Sequence, residues 1–319
     1  MPKISVIMSV YNGQKYVQEA IQSIIDQTSK DWELIVVNDG SNDESGKIIA
    51  EFKDERIIII TNKVNLGLTK SLNLALNQAA GEYIARLDSD DISEAERLEK
   101  QLTFMEKHPE IVLVGSGVIR INDQGGKMAN EQVATGPLAL KYALLLHNPF
   151  YHSTIFFRRK EIMAAGGYNE DYRCAQDFEL YSRLAKKYQL NNINEPLVRF
   201  RVHQESVVAQ PESQKIVRKN ALKIIFQNIN YYTPVSAEDY DRLKELLIIK
   251  KSEASTTIKD LIMAATVNRR LWRAFIKKEK LSRTEKEILV PHYQRVRMMI
   301  IKRYLLIKKR KWLSQSLKK

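Results

Sequence analysis

The chain has a single cysteine, Cys174, so no intrachain disulfide can form. Such sparing use of cysteine suits a reducing compartment. No apolar run reaches the roughly 18 residues that a membrane-spanning helix needs, so none is expected. The start, Met1-Pro2-Lys3-Ile4, has neither the apolar core nor the cleavage site of a signal peptide. A cytoplasmic protein is therefore expected. Several motifs are also missing. There is no Gly-x-Ser-x-Gly, no His-Glu-x-x-His and no Gly-x-x-x-x-Gly-Lys-Ser/Thr. Their absence argues against serine-nucleophile, zinc-peptidase and P-loop chemistry. No Gly-x-Gly-x-x-Gly follows the first apolar run, which disfavours a dinucleotide-binding domain. Finally, acids are scarce toward the end: residues 235–319 hold 23 Lys/Arg and 9 Asp/Glu, a balance of +14. Residues 1–234 hold 28 and 29, a balance of −1, so the net +13 belongs to the C-terminal part. Two regions with different partners are implied.

What is present begins with alternation. Ile4 to Val10 is apolar and β-branched, a buried strand. After the turn at Tyr11-Asn12-Gly13, Val17, Ala20, Ile21, Ile24 and Ile25 form a helical stripe within 16–27. Strands follow at 32–37, 57–60 and 83–87, with helices from about Ser45 and over 68–80. Short links between alternating elements predict βαβ units and a mostly parallel sheet flanked by helices. Beyond it, strands are expected at 111–121, 153–157 and 197–202, a hairpin turn at Asp123-Gln124-Gly125-Gly126 and a helix at 177–187. Past Pro211 the chain reads as helical. The hydrophobic share of 44% and the length of 319 residues accommodate one large α/β domain, 1–234, and a basic helical region, 235–319. Within the first, 1–110 would hold the nucleotide and 111–234 the acceptor.

The most informative segment is Tyr83-Ile84-Ala85-Arg86-Leu87-Asp88-Ser89-Asp90-Asp91, an apolar strand ending in three carboxylates. Ligands of open α/β sheets sit beyond the carboxyl ends of the strands. Acids there repel unless a cation lies between them, and a hard divalent ion, Mg²⁺ or Mn²⁺, takes such oxygens and shares them with phosphates. The same string is also good loop and cap chemistry. Asp39, ending the second strand, suits a base or ribose donor, or a turn. Ser9 and Tyr11 end the first strand, where Tyr11 would stack on a base or belong to the core. In Asn65-Leu66-Gly67-Leu68-Thr69-Lys70, Gly67 permits close backbone approach and Lys70 would reach phosphate, unless the segment is a plain helix entry. Asp177 opens a helix, where it would be a general base or an ordinary first-turn acid. The helix terminus would lower its pKa. Arg201 and His203 would neutralise a diphosphate or complete a metal shell, or lie in a solvated loop. His152 is equally open.

Taken together, Ile4-Ser5-Val6-Ile7-Met8-Ser9-Val10-Tyr11-Asn12, Val37-Asn38-Asp39-Gly40-Ser41, Asn65-Leu66-Gly67, Leu87-Asp88-Ser89-Asp90-Asp91, Gln176-Asp177 with Arg183, and Arg201-Val202-His203-Gln204-Glu205-Ser206 resemble the family 2 glycosyltransferases over about residues 3–210. The resemblance implies a GT-A fold and inverting transfer from a nucleotide-diphosphate sugar, UDP- or dTDP-linked. Asp39 would bind the base, Asp88 the ribose and metal, and Asp90 the metal, with His203 as a further ligand. Arg86 and Asp91 would complete the donor side, and Asp177 would be the base. Many members have Glu-Asp where this chain has Gln176-Asp177. The Gln-x-x-Arg-Trp motif and membrane spans of processive members are missing, which favours adding one or a few sugars. Two other readings, a non-catalytic nucleotide-sugar-binding or scaffold protein and a sugar nucleotidyltransferase, stay open.

The basic tail adds a partner. Over 285–313 a stripe runs through Leu289, Tyr293, Val296, Ile300, Tyr304 and Ile307, with Pro291 in the first turn. Lys302, Arg303 and the basic run 308–311 surround it. Such a helix fits an anionic membrane surface, which suits a lipid-linked or surface-glycan acceptor at the inner face of the cytoplasmic membrane. The alternative is a helix packed on its own protein. No nucleic-acid-binding motif is visible.

Overall fold

A computed structural model describes residues 1–204, 210–236, 238–240 and 258–316. Glu205 and Ser206 lie outside them. Contacts divide the chain into two units: Met1–Lys141 with Asn148–Asn220, and Tyr142–His147 with Ala221–Lys319.

The first unit is built on a nine-stranded mixed sheet. Its parallel half consists of β1 (Ile4–Val10), β2 (Trp32–Asn38), β3 (Ile57–Thr61) and β4 (Tyr83–Arg86). Side by side they run β3-β2-β1-β4, linked by α1 (Val17–Ile25), α2 (Ser45–Glu51) and α3 (Leu68–Gln78). β-branched residues fill β1 and β2 because both faces are covered. Val17, Ala20, Ile21 and Ile24 of α1 are buried, as their spacing predicts.

The second half mixes directions. β5 (Ile92–Ser93), α4 (Arg97–Lys107), β6 (Ile111–Ile121), β7 (Lys127–Glu131) and α5 (Pro137–Ala143) come first. A 3₁₀ turn at His152–Thr154 leads to β8 (Phe156–Arg158), α6 (Arg159–Ala164), α7 (Gln176–Leu184) and β9 (Gln189–Arg201). The order continues β4-β8-β6-β9-β5, with β7 hairpinned on β6. The strand expected at 153–157 is thus half turn. Thr154 Oγ1 donates to Tyr151 O at 2.8 Å, a local bond that competes with the ladder. The strand expected at 197–202 is the end of 13-residue β9, whose polar first half carries no alternation. The register shifts where Pro196 faces Gly117, since proline offers no ladder donor.

α8 (Pro211–Tyr232) begins in the first unit, which runs to Asn220, and its remainder belongs to the second, as do α9 (Ile258–Lys278) and α10 (Arg283–Ser316). Ala264, Val267, Leu271 and Phe275 bury one face of α9. Tyr142 packs edge-on against Phe275 at 5.2 Å and Trp272 at 5.5 Å. The last helix starts earlier than its apolar stripe suggests. Ser282 and Glu285 form a capping box, with Ser282 N–H donating to Glu285 Oε2 at 2.8 Å and Glu285 N–H to Ser282 Oγ at 3.3 Å. Pro291 therefore lies inside α10, not in its first turn. Leu289 is buried. The side chains of Ile300, Arg303, Tyr304, Ile307 and the run 308–311 lie outside the described ones. Among the described residues no helix is long and apolar enough to cross a membrane.

Candidate active site

Parallel pairing aligns the ends of β2, β1 and β4, so their following loops share one edge of the sheet. Ser9 and Tyr11 sit at the end of β1, and Tyr11 is 47% exposed, not part of the core. Asp39 follows β2 and is 1% exposed. Its Oδ1 accepts from Leu66 N–H (2.9 Å) and Asn62 Nδ2 (2.8 Å), and its Oδ2 from Gly67 N–H (2.8 Å). Asp39 thereby clamps the loop that carries Asn65 and Gly67. Gly67 has φ +91°, before α3, and Lys70 is exposed on the first turn of that helix.

The acids after β4 converge. One oxygen from each of Asp88, Asp90 and Asp91 falls within a 4.8 Å group. Arg86, 1% exposed, grips Asp88 with both Nη atoms. Burial alone would raise the Asp88 carboxyl, but the Arg86 charge and hydrogen bonds outweigh it and hold it below the usual range. Asp91 is pushed well above that range by burial and by the charges of Asp90 and Asp88. Like charges so close call for a cation, and the donors are all hard oxygens, so the cluster fits a divalent ion of the Mg²⁺ or Mn²⁺ kind.

Arg201 ends β9 beneath this cluster. Its N–H donates to Asp91 Oδ1 at 2.7 Å and its Nε to Asp90 O at 2.9 Å. Nη2 reaches Glu19 at 2.5 Å and Nη1 the Asp123 carbonyl at 3.0 Å, while the guanidinium lies 4.6 Å over the Tyr16 ring. Arg201 therefore spends its donors on protein acceptors, as do both Nη atoms of Arg86, whose buried Nε has no partner among the described residues. His203 places Nε2 2.8 Å from Asp90 Oδ2. A third buried cation, Arg97, donates to the Arg86 carbonyl at 2.7 Å. Burial and the Arg86 charge lower its pKa to about 9.

Asp177 lies on the first turn of α7, next to buried Gln176. Ala175, before it, adopts φ +60°, ψ +23°, a left-handed backbone that alanine rarely takes. The Asp177 carboxyl is raised by burial, against the pull of the Phe178 N–H and the Arg86 charge. This corrects the expected direction: desolvation exceeds the helix terminus. Asn148 Nδ2 donates to Asp177 Oδ2 at 2.8 Å. His152 pairs with the Tyr168 hydroxyl at 2.9 Å, and burial, then the Arg86 charge, keep it neutral. Arg183, at the far end of α7, bonds Glu179 Oε2 and the Gly167 carbonyl.

Sequence reasoning missed Asn148, Ser153, Arg97 and the Tyr16–Asp123 contact. None of them carries a periodic signal. Only the Asn148-to-Ser153 string, polar residues flanking an aromatic pair, hints at a built loop. Chemically, the arrangement offers a group of carboxylates at one place and a half-buried carboxylate of raised pKa at another.

Comparison with known proteins places the chain in a family. The profile of the glycosyl transferase family 2 matches residues 5–167. An uncharacterized glycosyltransferase of Haemophilus influenzae is 36% identical over 247 residues, covering 72% of this chain and 74% of its own. The UDP-Gal:alpha-D-GlcNAc-diphosphoundecaprenol beta-1,3-galactosyltransferase of Escherichia coli is 30% identical, covering 75% of this chain and 87% of its own. Among solved structures, S. aureus TarS 1-349 in complex with UDP-GlcNAc superposes with a TM-score of 0.62 over 98% of this chain and 92% of its own. At 16% identity that is a likeness of fold.

Proposed function

Because the chain belongs to glycosyl transferase family 2, we propose that it moves a sugar, with inversion, from a UDP- or dTDP-sugar to a hydroxyl of a lipid-linked or surface-glycan precursor. The three carboxylates gathered at the end of β4 are the observation that carries this reading. Asp39 serves the base, and the Asn65–Lys70 segment it clamps borders the donor. Asp88 and Asp90, with His203 and with Asp91 beside them, would hold Mn²⁺ or Mg²⁺. Such an ion supplies charge neutralisation on the departing diphosphate. Asp177 takes the acceptor proton as the acceptor oxygen bonds to the anomeric carbon and the carbon–diphosphate bond breaks on the opposite face. A diphosphate leaves as an anion, so no acid is needed to protonate it, unlike a glycosidase. The raised pKa of Asp177 makes it a better base than an exposed aspartate. The E. coli relative, named for a diphosphoundecaprenol acceptor, supports a lipid-linked partner, as does the basic C-terminal region.

The test is calorimetric titration with UDP and dTDP, each with Mn²⁺ and with EDTA, on wild type and Asp90→Ala. Binding that needs both the metal and Asp90 is expected. No binding of either nucleotide under any condition overturns the reading.

A further inference from the structure

We propose that the loop from Asn148 to Ser153 is a positioning element for both ends of the reacting centre: Asn148 orients the base Asp177, and Ser153 orients the donor-side carboxylates Asp88 and Asp91. The inference rests on the metal and base roles proposed above.

Ser153 is fully buried at the meeting point of the acids. Its Oγ lies within hydrogen-bond reach of Asp88 Oδ2, at 2.8 Å, and of Asp91 Oδ2. It accepts from Arg86 Nη1 and from the Asp88 N–H, each at 3.1 Å. One small hydroxyl thus sits between two carboxylates, its single proton available to one of them at a time, and accepts from the guanidinium that grips Asp88. Removing it takes away the oxygen shared by Asp88 and Asp91 and the side-chain acceptor of the Asp88 N–H, while Arg86 Nη1 keeps only its bond to Asp88. Groups that orient metal-binding carboxylates in this way normally matter almost as much as the ligands.

Asn148 acts at the other end. Its Oδ1 accepts from Phe150 N–H at 3.1 Å, which fixes the sense of the amide, so Nδ2 must face Asp177. Only four residues separate the two anchors, and the span between them is stiff. Pro149 fixes one torsion. The Phe150 ring packs edge-on against Tyr181 of α7 at 5.3 Å. Ser116 N–H donates to Thr154 Oγ1 at 3.1 Å. His152 adds its bond to Tyr168. The loop therefore sets where the base stands relative to the acids.

The experiment has two arms. Mn²⁺ binding in the presence of UDP, followed by the free-ion electron paramagnetic resonance signal, reads Ser153. Ser153→Ala should weaken Mn²⁺ by about 10–100-fold, and Ser153→Thr should restore it. Should Ser153→Ala not fold, Ser153→Cys replaces the hydroxyl with a weak donor and acceptor and carries the same expectation. Carbon-13 titration of the aspartate carboxyls reads Asn148, with Asp177 assigned through Asp177→Asn. Asn148→Ala should move the Asp177 titration upward. Asn148→Asp keeps the contact to Phe150 but sets a like charge beside Asp177, and should move it further. A merely structural loop would lower thermal stability in all variants without ordering them so. Wild-type Mn²⁺ affinity in folded Ser153 variants, or an unmoved Asp177 in Asn148→Asp, overturns the proposal. A wild type that binds no Mn²⁺ with UDP overturns the underlying donor site instead, and the proposal with it.

Discussion

At Asp177, the proposed base, function and stability would pull apart at a single residue. Its carboxyl binds a proton more tightly folded than unfolded, because burial opposes the charge. The unfolded value lies near 4. As pH rises from there toward the folded pKa, folding stability falls, and above it the full penalty remains. The neutral amide of Asp177→Asn escapes this penalty and can still face Asn148. Asp177→Asn should therefore melt at a higher temperature than wild type at pH 7–8, with the difference vanishing near pH 4. Turnover should drop by about 10²–10⁴-fold, the usual share of a general base. The acid limb of the wild-type turnover profile should sit above the ordinary aspartate range. Scanning calorimetry at the two pH values, with donor turnover across pH, checks all three. A variant less stable than wild type at pH 8 would contradict the assignment of burial as the dominant cause.

At the scale of elements, the loops matter more than the strands that present them. Gly40 has φ +68°, and a Cβ there would come 2.5 Å from the Val64 carbonyl carbon, in the segment Asp39 clamps. Gly67 has φ +91° but open space around it. Gly40→Ala must carry both strain and displacement, Gly67→Ala strain alone. Left-handed backbone without glycine costs about 1–3 kcal/mol. Denaturant titrations should rank Gly40→Ala as clearly more destabilised than Gly67→Ala. Equal losses would mean the clamp is soft. The contrast explains what the sequence could tell. β1 and β2 were legible because strands buried on both faces are rich in β-branched and apolar residues, and β4 by its short apolar run and the acids that follow it. The first half of β9 was not, since Asn191, Asn192 and Asn194 break any pattern. Nor was the role of Ser153, whose acid partner Asp88 lies 65 residues away. A contact of that span is a product of topology, with no local trace.

Over the whole molecule, the charge is divided as the roles would be. Residues 1–234 are nearly neutral at −1, as suits a part that must bind an anionic donor through a few chosen groups. The last 85 residues carry +14. Within the described part of that region, Arg273, Lys277, Arg295, Arg297 and Lys302 are exposed, and so are Ile262, Ile288 and Met298. Exposed cations interleaved with exposed apolar side chains suit the boundary of an anionic bilayer, where each Lys or Arg near the surface contributes about 1 kcal/mol. A lipid-linked acceptor would be presented at the same surface. Flotation with vesicles containing phosphatidylglycerol should therefore carry the protein upward, and vesicles of phosphatidylcholine alone should not. Raising salt from about 0.05 to 0.5 M should release most of it, because the Debye length shrinks below the distances over which these charges act. Deleting residues 285–319 should abolish flotation while leaving UDP binding in place. If the protein ignores anionic vesicles at physiological salt, the basic helices serve packing within their own unit, and a lipid-linked acceptor loses the support of the charge distribution.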